Sequence, residues 1–282
     1  EIWPNMFFNI KKKKIPLILL NGRITRKSFL RWKFFQNFAK KIFGKFDLCL
    51  SSSKESKIFL KKLGALNIKF LGNLKFAQSE EDKNIFDNSL RKKFLSKKIW
   101  CASSTHNSEE QFCGLVHKEL KKKYKNLLTI IIPRHIERVD KIINELDKLN
   151  LKIYTHESNE KFDRNTDIYI VDAYGKTKVF YNYCKNVFLG GSLIEHGGQN
   201  PLEAARFGCN ILHGPNVTNF SEIYEFLKKN KMSQKIVNQK QMTNSLQYLF
   251  RKKSNSKKTQ NKLNLIGRKI LDLTYKEIKL SL

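Results

Sequence analysis

The run Gly190-Gly191-Ser192-Leu193-Ile194-Glu195-His196-Gly197-Gly198-Gln199-Asn200-Pro201-Leu202-Glu203 constrains the fold of this chain more than any other stretch. The apolar residues Val187-Phe188-Leu189 lead into it and stop at two glycines, as a buried strand does when it enters a tight turn. A second glycine pair precedes Asn200-Pro201, and proline at the first helical position behind a capping residue predicts a helix start. Such a strand–turn–helix joint is expected to leave backbone N–H groups bare. With the positive end of the helix dipole they predict a phosphate seat at Gly190, Gly191 and Ser192, where missing side chains let a ligand approach the backbone. Glu203, one turn into the helix, is placed to accept hydrogen bonds from sugar hydroxyls. The same spacing also suits a loop that merely turns tightly in an α/β domain.

The rest of the chain repeats the strand–helix alternation. Apolar runs at 15–20, 46–50 and 68–71 read as strands, with a helix over 25–43 and another opened by Ser51-Ser52-Ser53 and Glu55. The helix over 25–43 carries Phe29, Trp32, Phe35, Ala39 and Ile42 at helical spacing among many lysines and arginines. It suits an anionic membrane surface, and it suits core packing with a solvated basic face. Residues 77–97 are polar, with one weak helix, and read as a crossing between domains. Further strands are expected at 98–102, 127–132, 151–154, 168–171, 187–189 and 209–212, with helices between them. Alternation of this kind predicts parallel sheets in two Rossmann-like domains. The expected division is the remaining part of an incomplete first domain over 1–76, a second domain over 98–238, and C-terminal helices over 239–282 folding back across the boundary.

With 282 residues, 40% of them hydrophobic, the chain is long enough for such a pair of cores. Its net charge of +30 comes mostly from lysine in nearly every segment, which permits anionic partners without choosing among them. Five cysteines with no CxxC pair predict reduced thiols. No apolar run approaches the ~18 residues of a membrane span. The sequence opens at Glu1 without an initiator methionine, in what reads as structured sequence, so a fragment of a longer chain is expected.

The polar residues that draw attention fall at the carboxyl ends of the expected strands: Ser103 to His106, Pro133-Arg134-His135, Asp172, Gly190 to Ser192, and His213. In an open parallel sheet that edge binds ligands. The histidines share no metal-ligand spacing, so no metal and no cofactor is expected. Arg134 is placed to meet a phosphate or carboxylate, or else to pair with Glu137 or Asp140 on the following helix. The absence of GxGxxG, GxxxxGK[ST] and GxSxG lowers dinucleotide enzymes, P-loop NTPases and α/β-hydrolases. Glycosyltransferases of the GT-B type, which hold a nucleotide-sugar between two Rossmann-like domains, fit what remains.

An ordered set of motifs goes further. Glu1-Ile2-Trp3-Pro4-Asn5, Gly72-Asn73-Leu74-Lys75-Phe76, Ala102-Ser103-Ser104-Thr105-His106 with Glu109-Glu110, Pro133-Arg134-His135 with Glu137-Arg138, the central loop to Glu203, and Gly214-Pro215 with Asn219-Phe220 resemble the 3-deoxy-D-manno-octulosonic acid (Kdo) transferases of Gram-negative lipopolysaccharide synthesis. The resemblance implies an inverting, metal-free transfer of Kdo from CMP-Kdo to a lipid A precursor. It implies a setting at the cytoplasmic face of the inner membrane, on its anionic surface and without nucleic acid, peripherally or through an anchor upstream of Glu1. It also implies that Ser103, Thr105, His106, Pro133-Arg134, the turn Tyr174-Gly175-Lys176, Gly190 to Ser192 and Asn200-Pro201-Leu202-Glu203 hold the donor, while Glu1 and Lys75 stabilise the transition state.

The family's general-base glutamate lies upstream of Glu1, so the chain as printed is expected to bind donor better than it catalyses. Lys176 stands where the family usually has Glu, and Ile136 where it usually has Pro. Two other readings remain open at this point: a GT-B transferase or epimerase acting on another nucleotide-sugar, and a non-catalytic basic protein that binds nucleic acid or membrane.

Overall fold

A computed structural model describes residues 2–77, 87–158, 161–252 and 256–281. Glu1 and most of the first half of the expected crossing, 78–86, lie outside the described residues. The chain forms two units, Glu1–Ser79 with Lys262–Leu282, and Glu80–Asn261.

In the first unit, α1 (Pro4–Lys12) starts on its proline, and β1 (Ile18–Gly22), β2 (Leu48–Ser51) and β3 (Ile68–Lys69) pair in parallel in the order β1-β2-β3. The central β2 is buried throughout. The expected buried strand at 15–20 is instead the half-buried β1, which starts later, pairs with β2 among the described residues and leaves Leu20 exposed. The single helix expected over 25–43 is two, α2 (Arg26–Phe34) and α3 (Gln36–Phe43), hinged at Phe35 (φ −113°, ψ 49°). The hinge falls where the apolar stripe changes character: α3 buries Ala39, Ile42 and Phe43, whereas α2 buries nothing fully. Trp32 bridges the two, edge-on to Phe43 with ring centroids 5.3 Å apart. As the serine run foretold, Ser53 caps α4 (Lys54–Lys62) by accepting from the Ser56 N–H at 2.8 Å.

The second unit opens with α5 (Asn88–Phe94), inside the stretch expected to be a crossing. Its Leu90 and Phe94 are buried, and Phe94 meets Tyr169, Phe180 and Tyr183 edge-on or tilted. Seven strands follow among the described residues: β4 (Lys98–Thr105), β5 (Leu127–Pro133), β6 (Ile153–Thr155), β7 (Ile168–Ile170), β8 (Asn186–Leu189), β9 (Asn210–His213) and β10 (Ser233–Lys235). All pair in parallel, in the order β10-β9-β8-β4-β5-β7-β6. Between and after them come α6 (Glu109–Lys121), α7 (Val139–Asp147), α8 (Thr177–Tyr183), α9 (Leu202–Arg206), α10 (Ser221–Lys229) and α11 (Gln239–Arg251). Trp100, Ile131, Phe188, Val116, Ile142 and Leu246 belong to one core on the sheet.

The strand order reverses beside β4. From β4 the chain moves through β5 towards one edge, then returns through β8 on the other side of β4 towards the opposite edge. The crevice at the carboxyl ends of β4 and β8 is therefore the switch point at which open parallel sheets take their ligands.

The last helix, α12 (Ser256–Lys279), supplies residues 262–279 to the first unit. There Glu277 pairs with Lys69 at 2.6 Å, and Ile270 lies 2.6 Å from where a Cβ on Gly72 would be. Gly72 has φ +117°, so it is a glycine for two reasons, backbone conformation and contact. All five cysteines are buried and free of disulfides. Among the described residues no helix is long and apolar enough to cross a membrane.

Candidate functional site

The end of β4 is irregular. Ser104 has φ +54° and Ser108 φ +73°, and the register with β5 shifts between Ser103 and Thr105. Neither serine is a residue type that favours this conformation, and such backbone concentrates where ligands are held. Against the bend lies Gly190 at the end of β8, whose N–H donates to the Ser103 carbonyl at 2.9 Å. A Cβ there would fall 2.4 Å from the Ser104 carbonyl oxygen and 2.6 Å from the Thr105 Cα, so only glycine lets the two strand ends meet.

The backbone donors expected to be bare are already occupied. Glu109, in the first turn of α6 and 1% exposed, accepts from Gly191 at 2.7 Å, Ser192 at 3.1 Å, Leu193 at 3.0 Å and His106 at 3.0 Å. An internal carboxylate thus sits where the sequence predicted a ligand phosphate. Burial holds the Glu109 carboxyl above the usual carboxylate range, and the four N–H donors offset only part of that rise. The helix start is also corrected: α9 has only five residues, Pro201 is its cap, and the Asn200 side chain accepts from the Leu202 N–H at 3.2 Å. So short a helix has little dipole to offer an anion.

What faces the crevice is a group of side chains. The His106 ring lies 4.3 Å from that of His196 and 6.1 Å from that of His135, and its Nε2 is 3.3 Å from Gln199 Nε2. Gly191, φ +62°, is pressed against both His106 and His196. Arg134 directly follows β5 and is exposed, tied to the site by its N–H donating to the Thr105 carbonyl at 3.0 Å. The sequence left open a pairing of Arg134 with Glu137 or Asp140. Instead Glu137 meets His135 at 3.3 Å and the Tyr174 hydroxyl at 3.3 Å, which carries the exposed turn Tyr174-Gly175-Lys176 to the same loop. Thr105 is fully buried and its hydroxyl has no hydrogen-bond partner, an arrangement that costs about 1–3 kcal/mol when nothing fills it. Glu203 and Asn200 are half-buried at the far side of the central loop.

Other expected residues are used internally. The Ser103 hydroxyl is paired with that of Tyr181 at 2.8 Å, and the Ser192 hydroxyl holds the Leu189 carbonyl and the Gly214 N–H. His213 packs on Tyr224 and bonds the Gly214 carbonyl, and Asp172 accepts from the Glu157 N–H. Lys75 belongs to the first unit, in the short 3₁₀ turn Leu74–Ala77. Desolvation, then the Arg23 charge, lower its pKa.

The sequence motifs include Glu109, Gln199, Arg138 and Glu110 but gave them no role; missed were the loop bonds of Glu109 and the bidentate pair between Arg138 and Glu110 at 3.0 and 3.1 Å, which fastens the loop after β5 to α6. The visible signal was two glutamates in the first turn of a helix that follows a strand end. Among the described residues no group of three or more His, Cys, Asp or Glu is arranged to hold a metal.

The site also sets a pH dependence. Burial, then His196 and His135, lower the His106 pKa to about 4, and burial lowers His117, His156 and His213 in the same direction. A histidine with a folded pKa below its unfolded ~6.5 binds its proton more readily when unfolded. The stability these rings contribute is complete above ~pH 6.5 and is lost as pH falls, for His106 down to about 4. The unfolding midpoint is expected to drop over that window, and His106→Gln to flatten the slope. An unchanged slope in a pH series of thermal melts would mean that His106 titrates normally.

The family model described as "3-Deoxy-D-manno-octulosonic-acid transferase (kdotransferase)" matches residues 1–78. A 3-deoxy-D-manno-octulosonic acid transferase of Haemophilus influenzae is 30% identical over 96% of this chain. The chain spans 64% of that relative's length, under two thirds of it. Among solved structures, the C-terminal CMP-Kdo binding domain of WaaA from Acinetobacter baumannii aligns with a TM-score of 0.54 and 24% identity, over 64% of this chain and 93% of that one. The UDP-GlcNAc 2-epimerase from Neisseria meningitidis aligns with a TM-score of 0.58 and 15% identity, over 97% of this chain and 72% of that one. These two likenesses show the fold, which is of the GT-B type.

Proposed function

We propose that the chain is a member of the 3-deoxy-D-manno-octulosonic acid transferase family and serves the transfer of Kdo, with inversion, from CMP-Kdo to a lipid A precursor at a membrane surface. The observation that carries this reading is identity spread over 96% of the chain. The ordered motifs supply strand ends at the switch point of a parallel sheet. In this proposal Pro133-Arg134, the turn at Tyr174-Gly175-Lys176 and the stretch from Asn200 to Glu203 hold the CMP portion, with Thr105 and His106 beneath it. Since the backbone donors of Gly191 and Ser192 are occupied by Glu109, the phosphate falls to the Arg134 guanidinium and the imidazoles beside it. The glycines keep the role of admitting the ligand.

Departure of CMP builds negative charge on phosphate while the sugar becomes oxocarbenium-like, and fixed charges that meet these changes lower the barrier. Lys75 and Glu1 are proposed for that task, the cation for the leaving group and the carboxylate for the sugar. No metal or other cofactor is assigned to the step.

The test is calorimetric titration of the chain with CMP and with UMP. Selective binding of CMP, weakened about tenfold or more by Arg134→Ala, is the expected result. UMP binding as tightly as CMP would move the protein to another nucleotide-sugar. Loss of binding with rising salt and no nucleotide preference would leave only the basic-surface reading.

A further inference from the structure

The hinge between α2 and α3 leaves a surface that the transfer reaction does not use. Phe34 is 86% exposed and Phe35 68%, and Leu30 and Phe38 are about half exposed beside them. Leu30 and Phe34 stand one turn apart on α2, and Phe35 and Phe38 continue the patch across the hinge onto α3. Among the described phenylalanines only Phe34, Phe35 and Phe38 are exposed, and contiguous exposed rings mark a surface that is covered in use.

The charge around the patch identifies what covers it. From Ile2 to Phe46 the sequence has twelve lysines and arginines and no aspartate or glutamate, so no carboxylate of this segment offsets the cations around the rings. Lys27, Arg31 and Lys33 lie on α2 itself, and Lys40 and Lys41 on α3, all exposed. Exposed rings flanked by cations match the interface of an anionic bilayer, where rings enter the headgroup–acyl boundary and cations meet lipid phosphates. Nucleic acid calls for a groove that tracks a strand with stacking platforms along it, which an elbow does not provide.

We propose that the α2–α3 elbow is a docking surface for an anionic lipid bilayer, with Phe34, Phe35 and Phe38 entering the interface and the surrounding lysines and arginines holding headgroup phosphates. It deepens the functional proposal by naming the element of the first unit that meets the membrane, and it rests on that proposal only for its setting. Vesicle binding is measured without donor or acceptor, so either claim can fail while the other stands.

The experiment is cosedimentation of the whole 282-residue chain with vesicles of phosphatidylcholine alone and of phosphatidylcholine with phosphatidylglycerol, at ~0.15 M salt. The expected result is binding to the anionic vesicles only, weakened about tenfold by F34S/F35S and by K27E/R31E, with thermal midpoints unchanged. Loss with K27E/R31E but not with F34S/F35S would show attraction without insertion and overturn the proposal. A midpoint lowered by several degrees in F34S/F35S would show that the rings pack against protein, and it would be overturned then too. Self-association of the chain that F34S/F35S abolishes would assign the elbow to a second copy instead.

Discussion

Glu109→Ala should lower the unfolding midpoint of the second unit by about 10 °C and abolish donor binding with it. The carboxylate is 1% exposed and takes hydrogen bonds from four backbone N–H groups, on Gly191, Ser192, Leu193 and His106. Truncation leaves those donors facing a cavity with nothing to accept from them, and the site is too enclosed for water to replace every bond. Removing one partner of a buried charged hydrogen-bond network costs about 3–5 kcal/mol, and in a unit of this size each kcal/mol moves the midpoint by about 2–4 °C. Glu109→Gln is expected to fall between, since one oxygen becomes an NH₂ group that faces donors. The fluorescence of Trp100, fully buried in this unit, follows the transition. A midpoint within about 2 °C of the parent would mean that the loop donors find other acceptors and that Glu109 does not hold the loop.

This one residue also shows what the sequence could and could not tell. Local pattern was legible: β5 ends at Pro133 and β8 at Leu189 as the apolar runs imply, and Ser53 caps α4 as its spacing implies. The edge at which ligands bind followed from parallel topology, which the strand–helix alternation fixes. The state of the loop donors did not follow, because the bonds to Glu109 from Gly191, Ser192 and Leu193 cross 82 to 84 residues of chain. No local rule distinguishes a bare glycine turn from one filled by a carboxylate from another helix. The split of the 25–43 helix was hidden for a related reason. Its apolar spacing is continuous through Phe35, and only packing against the first sheet decides where the stripe must be buried.

Lys75→Ala should lower turnover in the active enzyme by about 10²–10³-fold while changing CMP affinity less than about threefold. The expectation starts from how firmly the residue is presented. The Asn73 side chain accepts from the Lys75 N–H at 3.0 Å, and the Asn21 side chain from the Leu74 N–H at 3.1 Å. Gly72 and Gly267 let α12 close over the segment, Gly267 facing the Phe76 carbonyl so closely that a side chain is excluded. A cation carried on a backbone so fixed needs little reorganisation when charge develops on the departing phosphate. A group that acts mainly on the transition state lowers kcat and kcat/KM together and leaves ground-state binding nearly alone. Lys75→Arg keeps the charge but moves it, so an intermediate rate is expected from it. If Lys75→Ala weakened CMP binding and turnover by the same factor, the lysine would be a ground-state contact of the donor. If neither changed, the charge that meets the leaving group would have to come from the Arg134 loop, and the catalytic assignment of Lys75 would be lost.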